Sequence, residues 1–336
     1  MAWYEVKGND ADTVVSTRIR FARNLAGFRF DKGLTADDAR TVIDRVGKAL
    51  GEADFTRTDF DKVSAVEAQS LVEQHLASRE FAAKKGPRAL FRNDNKSVSV
   101  MACEEDHIRL QCILPGLALR DAYRFACECD DALDAALDIA FDEKLGYLTH
   151  CPTNLGTGLR ASVMLFLPAI AAEGGIPSLA RQLAQIGLTM RGLYGEGSDS
   201  RGCLYQISNQ VTLGLSEEEI LKKLEDAVAT VIERERALRR AVSGEDAERR
   251  ADRIHRAEGI LRYATLISSE EFFDHFTDIK LGIALGLVTS ISDEALNALL
   301  IRCLPATLTL GAAKPPESGT ARDRLRAELI HNAWEV

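Results

Sequence analysis

Residues 14–21, Val-Val-Ser-Thr-Arg-Ile-Arg-Phe, alternate with a period of two. That is the pattern of a strand whose successive side chains point to opposite faces. Thr17, Ile19 and Phe21 share one face, and Arg18 and Arg20 share the other. Apolar positions then recur at helical spacing over roughly 35–50 and 64–77, which predicts two helices. Alternation returns between Ser97 and Leu114, interrupted by Glu104-Glu105-Asp106. It predicts two strands meeting at an acidic turn, the second carrying Ile108, Leu110 and Cys112 on one face and His107, Arg109 and Gln111 on the other. A long helix is expected over about 117–141, ending near Gly146. A Pro- and Gly-containing loop, His150 to Gly158, is expected to lead into an apolar helix from about Leu159. A glycine-rich loop from Arg191 to Arg201 precedes an expected strand, Leu204 to Leu213, with turn chemistry at Ser208-Asn209.

Ser216-Glu217-Glu218-Glu219 is a capping box, in which the Ser oxygen and the Glu three residues later satisfy each other's backbone N–H groups. Ile220, Leu221, Leu224, Val228, Val231 and Ile232 then give that helix a buried stripe. The heavily charged stretch from Glu233 to Arg253 is the best candidate for a domain boundary, placed at 245/246. Beyond it the pattern is helical to the end, apart from a loop near Gly311–Thr320 that holds Pro315 and Pro316. Strands and helices do not alternate regularly and the strands pair as hairpins. The expected class is therefore α+β with an antiparallel sheet, not a doubly wound fold.

Composition narrows the function without naming it. The 336 residues are 46% hydrophobic and 28% charged, ordinary for a globular chain with a sizeable core. A net charge of −9 argues against a direct nucleic-acid partner, so any phosphate site has to gather its arginines locally. The N-terminus, MAWYEVKGND, lacks the features of a signal peptide. The longest apolar stretch, about Ala161 to Ala172, contains Pro168 and is too short to span a bilayer. With seven cysteines in no framework spacing, the expectation is reduced thiols in a cytoplasmic protein with no membrane partner. Cys127 and Cys129 form a C-x-C pair without a second pair nearby, which is a weak zinc signal.

The common nucleotide motifs are absent: there is no G-x-x-x-x-G-K-[ST], no G-x-G-x-x-G after a strand, and no H-R-D or D-F-G set. Instead, five arginines sit on four segments: Arg18 and Arg20, Arg109, Arg160, and Arg191. Each offers a planar fork suited to phosphate oxygens, but spacing alone leaves solvated surface arginines as an alternative.

The segments VSTRIRFARNL, EEDHIRLQC, CPTNLGTGLRASV and RGLYGEGS with QISNQ, in that order, resemble the phosphagen (guanidino) kinases over roughly residues 12–245. The resemblance implies a glutamine-synthetase-like catalytic domain, residues 1–245, with a mainly antiparallel sheet flanked by helices and with ATP and Mg2+ bound over it. It implies that Arg18, Arg20, Arg109, Arg160 and Arg191 hold the nucleotide phosphates. Glu105 and Glu196 would hold the substrate guanidinium, with Cys151 as the thiol beside it. Glu105 is assigned proton removal and Glu196 alignment, with the reverse left open. Glu104 and Asp106 would lie behind the site or reach magnesium through water. His107 is either a nucleotide contact or a structural histidine on the strand. No side chain is assigned as a direct metal ligand. The chemistry agrees: a guanidinium is protonated at neutral pH and becomes a nucleophile only when a carboxylate takes its proton.

Two features are similar to the bacterial protein-arginine kinases within that superfamily: the loop Tyr194-Gly195-Glu196-Gly197-Ser198, and the tail Arg322-Asp323-Arg324-Leu325-Arg326-Ala327, which fits R-D-x-x-R-A. The tail implies a smaller helical C-terminal domain, 246–336, that recognises phosphoarginine through Arg322, Asp323 and Arg326 and mediates a homodimer. Arg322 and Arg326, four apart, fall on one helix face. The S-T-R-x-R strand begins within the first twenty residues, leaving no room before it for the helical domain that free-guanidino kinases carry there. The implied function is transfer of the ATP γ-phosphoryl group to arginines in proteins. A Clp-type AAA+ protease and a small zinc-binding activator are the implied partners. A free-guanidino kinase and a non-catalytic phosphoarginine-binding adaptor are the rival readings. Cys103, His150 and Asp199-Ser200-Arg201 depart from the family pattern.

Overall fold

The computed structural model describes residues 2–51, 54–95, 97–192 and 201–334. Eight strands form one sheet: β1 (Val14–Arg23), β2 (Phe55–Asp59), β3 (Ala89–Asn93), β4 (Val98–Ala102), β5 (Ile108–Pro115), β8 (Leu159–Phe166), β9 (Leu188–Gly192) and β10 (Leu204–Asn209). Two short strands, β6 (Phe141–Asp142) and β7 (Gly146–Tyr147), make a separate hairpin. The sheet order is β2-β3-β4-β5-β1-β8-β10-β9, and all its pairings are antiparallel. The helices are α1 (Ala36–Leu50), α2 (Ala65–Glu73), α3 (Arg79–Ala83), α4 (Leu119–Ala136), α5 (Pro168–Ala172), α6 (Ile176–Gln185) and α7 (Glu217–Ala241). The chain ends with α8 (Gly244–Tyr263), α9 (Ser269–Ala284), α10 (Asp293–Arg302), α11 (Pro305–Gly311) and α12 (Gly319–Trp334). Among the described residues no helix is long and apolar enough to cross a membrane.

The two faces of the sheet have different fates. On one, Ile19, Phe21, Leu110 and Val163 pack with the apolar stripes of α1, α4 and α7 into the main core. Each such buried side chain contributes about 1.5–3 kcal/mol. The other face is split along its length. At one end Ile113, Met164, Phe166 and Leu204 lie under the C-terminal helices, in a second core with Ile254, Phe272, Phe276, Leu296 and Ile330. Along one side, Leu90 and Met101 are covered by Phe81 of α3 and Leu71 of α2. Among the described residues, what remains uncovered is a basin over β5, β1, β8, β10 and β9. Period-two alternation thus assigns Arg18 and Arg20 of β1 to the basin and Ile19 and Phe21 to the core.

Buried carboxylates fasten helix N-termini that cannot reach water. Glu73 on α2 accepts from the backbone N–H groups of Ala306 (3.0 Å) and Thr307 (2.7 Å), which ties α11 to α2. Glu235 on α7, fully buried, accepts from Ala169 and Ile170 at the start of α5 and from Arg239 Nε.

Several expectations need correction. The segment after Gly158 is strand β8, not a helix. A central strand buried on both faces shows a near-continuous apolar run, which periodicity cannot tell from a buried helix. Arg191 lies within strand β9, not at the head of a loop, and β10 stops at Asn209. Helix α4 ends at Ala136, and β2 and β3 escape the sequence pattern altogether.

Candidate active site

Arg20 of β1 stands directly opposite Arg160 of β8, and two residues further along β1 Ala22 stands opposite Arg109 of β5. On β10, Gln206 is opposite Arg191 of β9. Arg18, Arg20, Arg109, Arg160 and Arg191, 173 positions apart from first to last (191 − 18), therefore share one face and line one cavity of about 790 Å3. That volume is within the usual range for ligand sites. Like charges set directly opposite across strands destabilise a sheet, so this stripe is a cost to the fold unless an anion joins it.

The electrostatics point the same way. Burial, then the charges of Arg109 and Arg160, pull the Arg18 guanidinium down to about 10. Arg20 is pulled well below its ordinary value by burial and by Arg18, Arg109 and Arg160. Arg160 is lowered by burial and by Arg191 and Arg109. The Nε–H groups of Arg20 and Arg160 are buried without an acceptor among the described residues. Internal partners are few: Arg18 Nη2 donates to Gln206 Oε1 at 3.2 Å, and Arg160 Nη2 approaches Ser208 Oγ at 3.4 Å. An anion with many oxygens, such as a polyphosphate, fits this donor set.

The acidic turn between β4 and β5 is closed by Cys103 N–H donating to His107 O at 2.8 Å. Two of its four polar side chains, Asp106 and His107, do not line the cavity. Glu104, 4% exposed, accepts from Arg109 Nη1 (2.5 Å), Ser78 Oγ (2.6 Å) and the Glu105 N–H (2.9 Å). Burial pushes the Glu104 carboxyl up, but Arg109 and these hydrogen bonds outweigh it and hold it below the ordinary range. Asp106, also buried, accepts from Asn24 Nδ2 and from the His150 N–H, tying the turn to the segment that carries Cys151. Glu105 lines the cavity and, unlike Glu104, makes no side-chain hydrogen bond among the described residues. Burial, then the neighbouring Asp106 and Glu104 charges, raise its carboxyl above the usual range. A carboxylate reluctant to stay ionised is a better proton acceptor.

Not every expected site residue is brought here. His107 is 1% exposed and does not line the cavity. Its Nδ1 accepts from the Leu25 N–H at 3.1 Å, and its Nε2 is 2.9 Å from Arg29 O. Both ring nitrogens are thus spent on the chain after β1, which corrects the reading of His107 as a nucleotide contact in favour of the structural one. Cys151 is partly exposed, with Sγ 3.0 Å from Thr153 Oγ1; its neighbour His150 lines the cavity and Cys151 does not. Glu196 lies outside the described residues. In the tail, Arg326 is fully buried: Nε donates to Cys303 O (3.0 Å), and Nη1 to Ile267 O (2.7 Å) and Asp323 Oδ1 (2.7 Å). Arg326 thus ties α12 to the end of α10 and to the segment before α9, while its buried Nη2 has no acceptor among the described residues. Arg322 and Asp323 remain partly exposed.

Sequence reasoning missed Asp31, Lys32, Glu80 and Lys84, which also line the cavity. They come from segments without strand periodicity, so no local signal marks them. Gln206 and Ser208, at i and i+2 on one strand face, did carry a legible signal.

The fold and its basic cavity define an ATP:guanido phosphotransferase. Residues 39–238 match the family described as ATP:guanido phosphotransferase, C-terminal catalytic domain, and residues 247–335 match the Protein-arginine kinase McsB C-terminal domain. Among solved structures, the chain is similar to the duplicated taurocyamine kinase from Schistosoma mansoni (TM-score 0.62, 28% identity, 79% of this chain and 41% of that one). It is also similar to a lombricine kinase (TM-score 0.62, 26% identity, 71% of this chain and 70% of that one). Curated relatives include the protein-arginine kinases of Moorella thermoacetica, 39% identical over 98% of this chain and 97% of that protein, and of Syntrophomonas wolfei, 42% identical over 100% and 96%. The chain belongs to the protein-arginine kinase family.

Proposed function

We propose that this chain transfers the γ-phosphoryl group of ATP to arginine guanidinium groups in proteins. One observation carries the chemistry: five arginines from four strands line one cavity together with Glu105, a carboxylate that makes no side-chain hydrogen bond among the described residues. The arginines bind and neutralise the phosphates, which is where most phosphoryl-transfer catalysis arises. Glu105 takes the guanidinium proton as nitrogen attacks phosphorus, and Glu196 aligns the planar group. Cys151 flanks it as an electrostatic partner. Among the described residues no cluster of three or more His, Cys, Asp or Glu could hold a metal ion. Mg2+ would enter with the nucleotide and supply further neutralisation of phosphate charge.

A protein-borne arginine is favoured over free arginine by the match of residues 247–335 to the protein-arginine kinase C-terminal domain and by the names of the curated relatives. We assign residues 1–245 to catalysis and 246–336 to phosphoarginine recognition, through Arg322 and Asp323 with Arg326 as their support, and to homodimer contacts. In the cytoplasm, the phosphorylated protein would pass to a Clp-type AAA+ protease, with a small zinc-binding activator assisting.

The test incubates the chain with Mg-ATP and either an unfolded protein or free arginine, then assays acid-labile phosphate on arginine. Product on protein, lost in Glu105→Gln while nucleotide still binds, is the expected result. Product on free arginine alone would move the chain to the phosphagen-buffering class, and no product with either would leave a binding adaptor.

A further inference from the structure

The turn that carries Glu105 is held by one ammonium outside it. Lys84, the residue just after α3, donates from Nζ to Cys103 O at 2.8 Å and to Glu104 O at 2.6 Å, and it pairs with Asp31. An ammonium has three N–H donors. Here three acceptors take them all, so Lys84 lines the nucleotide cavity without a donor to spare for phosphate.

The backbone shows why such a brace is needed. Cys103 enters the turn in the left-handed region, at φ 64°. Side-chain-bearing residues avoid that conformation, Asn and Asp being the better tolerated. The peptide linking Glu104 to Glu105 is then gripped at both ends. Its carbonyl oxygen accepts from Lys84, and its N–H donates to the Glu104 carboxylate at 2.9 Å. That peptide sets the position from which the Glu105 side chain projects into the cavity.

We propose that Lys84, anchored by Asp31, is a positioning residue for Glu105: it fixes the strained turn so that the carboxylate meets the substrate guanidinium in register. This inference rests on the reading of Glu105 as the proton acceptor. Misplacing a reacting group by about 1 Å costs on the order of 100-fold in rate. Lys84→Met should therefore lower kcat about 10- to 100-fold, with KM for ATP and the Kd of a fluorescent ATP analogue within about twofold of wild type. Lys84→Arg, which keeps the charge and can reach both carbonyls, should recover most of the loss. An unchanged kcat in Lys84→Met would make Lys84 an ordinary structural tie. A nucleotide Kd that weakens in step with kcat would make it a phosphate ligand. Either result overturns the inference. If Lys84→Met does not fold, Asp31→Asn carries the test, because it removes the charge that anchors Lys84 and leaves both carbonyls. A several-fold fall in kcat at unchanged Kd is expected there, and an unchanged kcat overturns the inference equally. Wild type assayed alongside separates the two readings: no phosphoarginine from wild type defeats the proposed function, whereas product from wild type with unaltered turnover in the variants defeats only the role of Lys84.

Discussion

Replacing Glu104 by Gln removes one charge and almost no volume, and its consequences can be worked from the contacts. The carboxylate is 4% exposed and receives three hydrogen bonds, the shortest from Arg109 at 2.5 Å. Breaking a buried ion pair from one side costs about 3–5 kcal/mol, because the surviving charge is left buried and uncompensated. The Arg109 side chain is 24% exposed to the cavity, and Gln keeps one acceptor for Ser78. The cost in the ligand-free protein is therefore discounted to about 2–3 kcal/mol. With an unfolding entropy of ~2.1 cal/mol/K per residue, that lowers Tm by about 3–4 °C. Bound phosphates would supply the missing counter-charge, so saturating nucleotide should return about half of the loss. By linkage, the variant should then bind nucleotide several-fold more tightly, since 1.4 kcal/mol is a factor of ten. The same carboxyl is held below its ordinary range in the fold, so its contribution is complete above about pH 4.3 and is lost as pH falls further. The Tm gap between wild type and variant should therefore close in acid. Thermal unfolding with and without ADP, at pH 7 and below 4, checks each part. Equal destabilisation with and without nucleotide would refute the view that Glu104 is a stand-in counter-charge for the phosphate site.

Other outcomes follow from neighbouring groups. Glu105→Gln should lower phosphoarginine formation by at least about 100-fold. It should leave Tm unchanged or slightly higher, because a carboxyl whose pKa is raised by folding costs stability once it ionises; a large fall in Tm would reassign it to structure. In wild type, activity should fall as pH drops through a value above the ordinary carboxylate range near 4.3, and a limb at or below that range would exclude Glu105 as the titrating base. Arg20→Ala should weaken ATP binding and flatten its salt dependence, read by nucleotide titration at two ionic strengths; unchanged affinity would remove Arg20 from the phosphate site. Arg326→Ala should destabilise the chain by about 3 kcal/mol in denaturant unfolding, since it strips two buried carbonyls and Asp323 of their donor; native stability would return Arg326 to a purely ligand-binding role.

Local patterns in the sequence were sufficient wherever one segment carries its own information. Alternation separates Arg18 and Arg20 from Ile19 and Phe21, and β1 does exactly that in the sheet. The Ser216–Glu219 capping box starts α7, and the acidic run sits in the turn between β4 and β5. The four family segments were legible because each keeps its chemistry within about ten residues. Tertiary structure alone decided the rest. Strand β8 reads like a helix because burial on both faces erases alternation. His107 looks like a ligand in a motif, yet an N–H and a carbonyl from a distant segment take both its ring nitrogens, and Arg326 spends its Nε and Nη1 on carbonyls of distant segments and on Asp323. Lys84 carries no motif at all, and matters only because the chain folds two carbonyls of the Glu105 turn onto it. Periodicity records what a residue's own strand or helix needs. Which distant groups meet, and which donors remain free for a ligand, is settled by packing between segments.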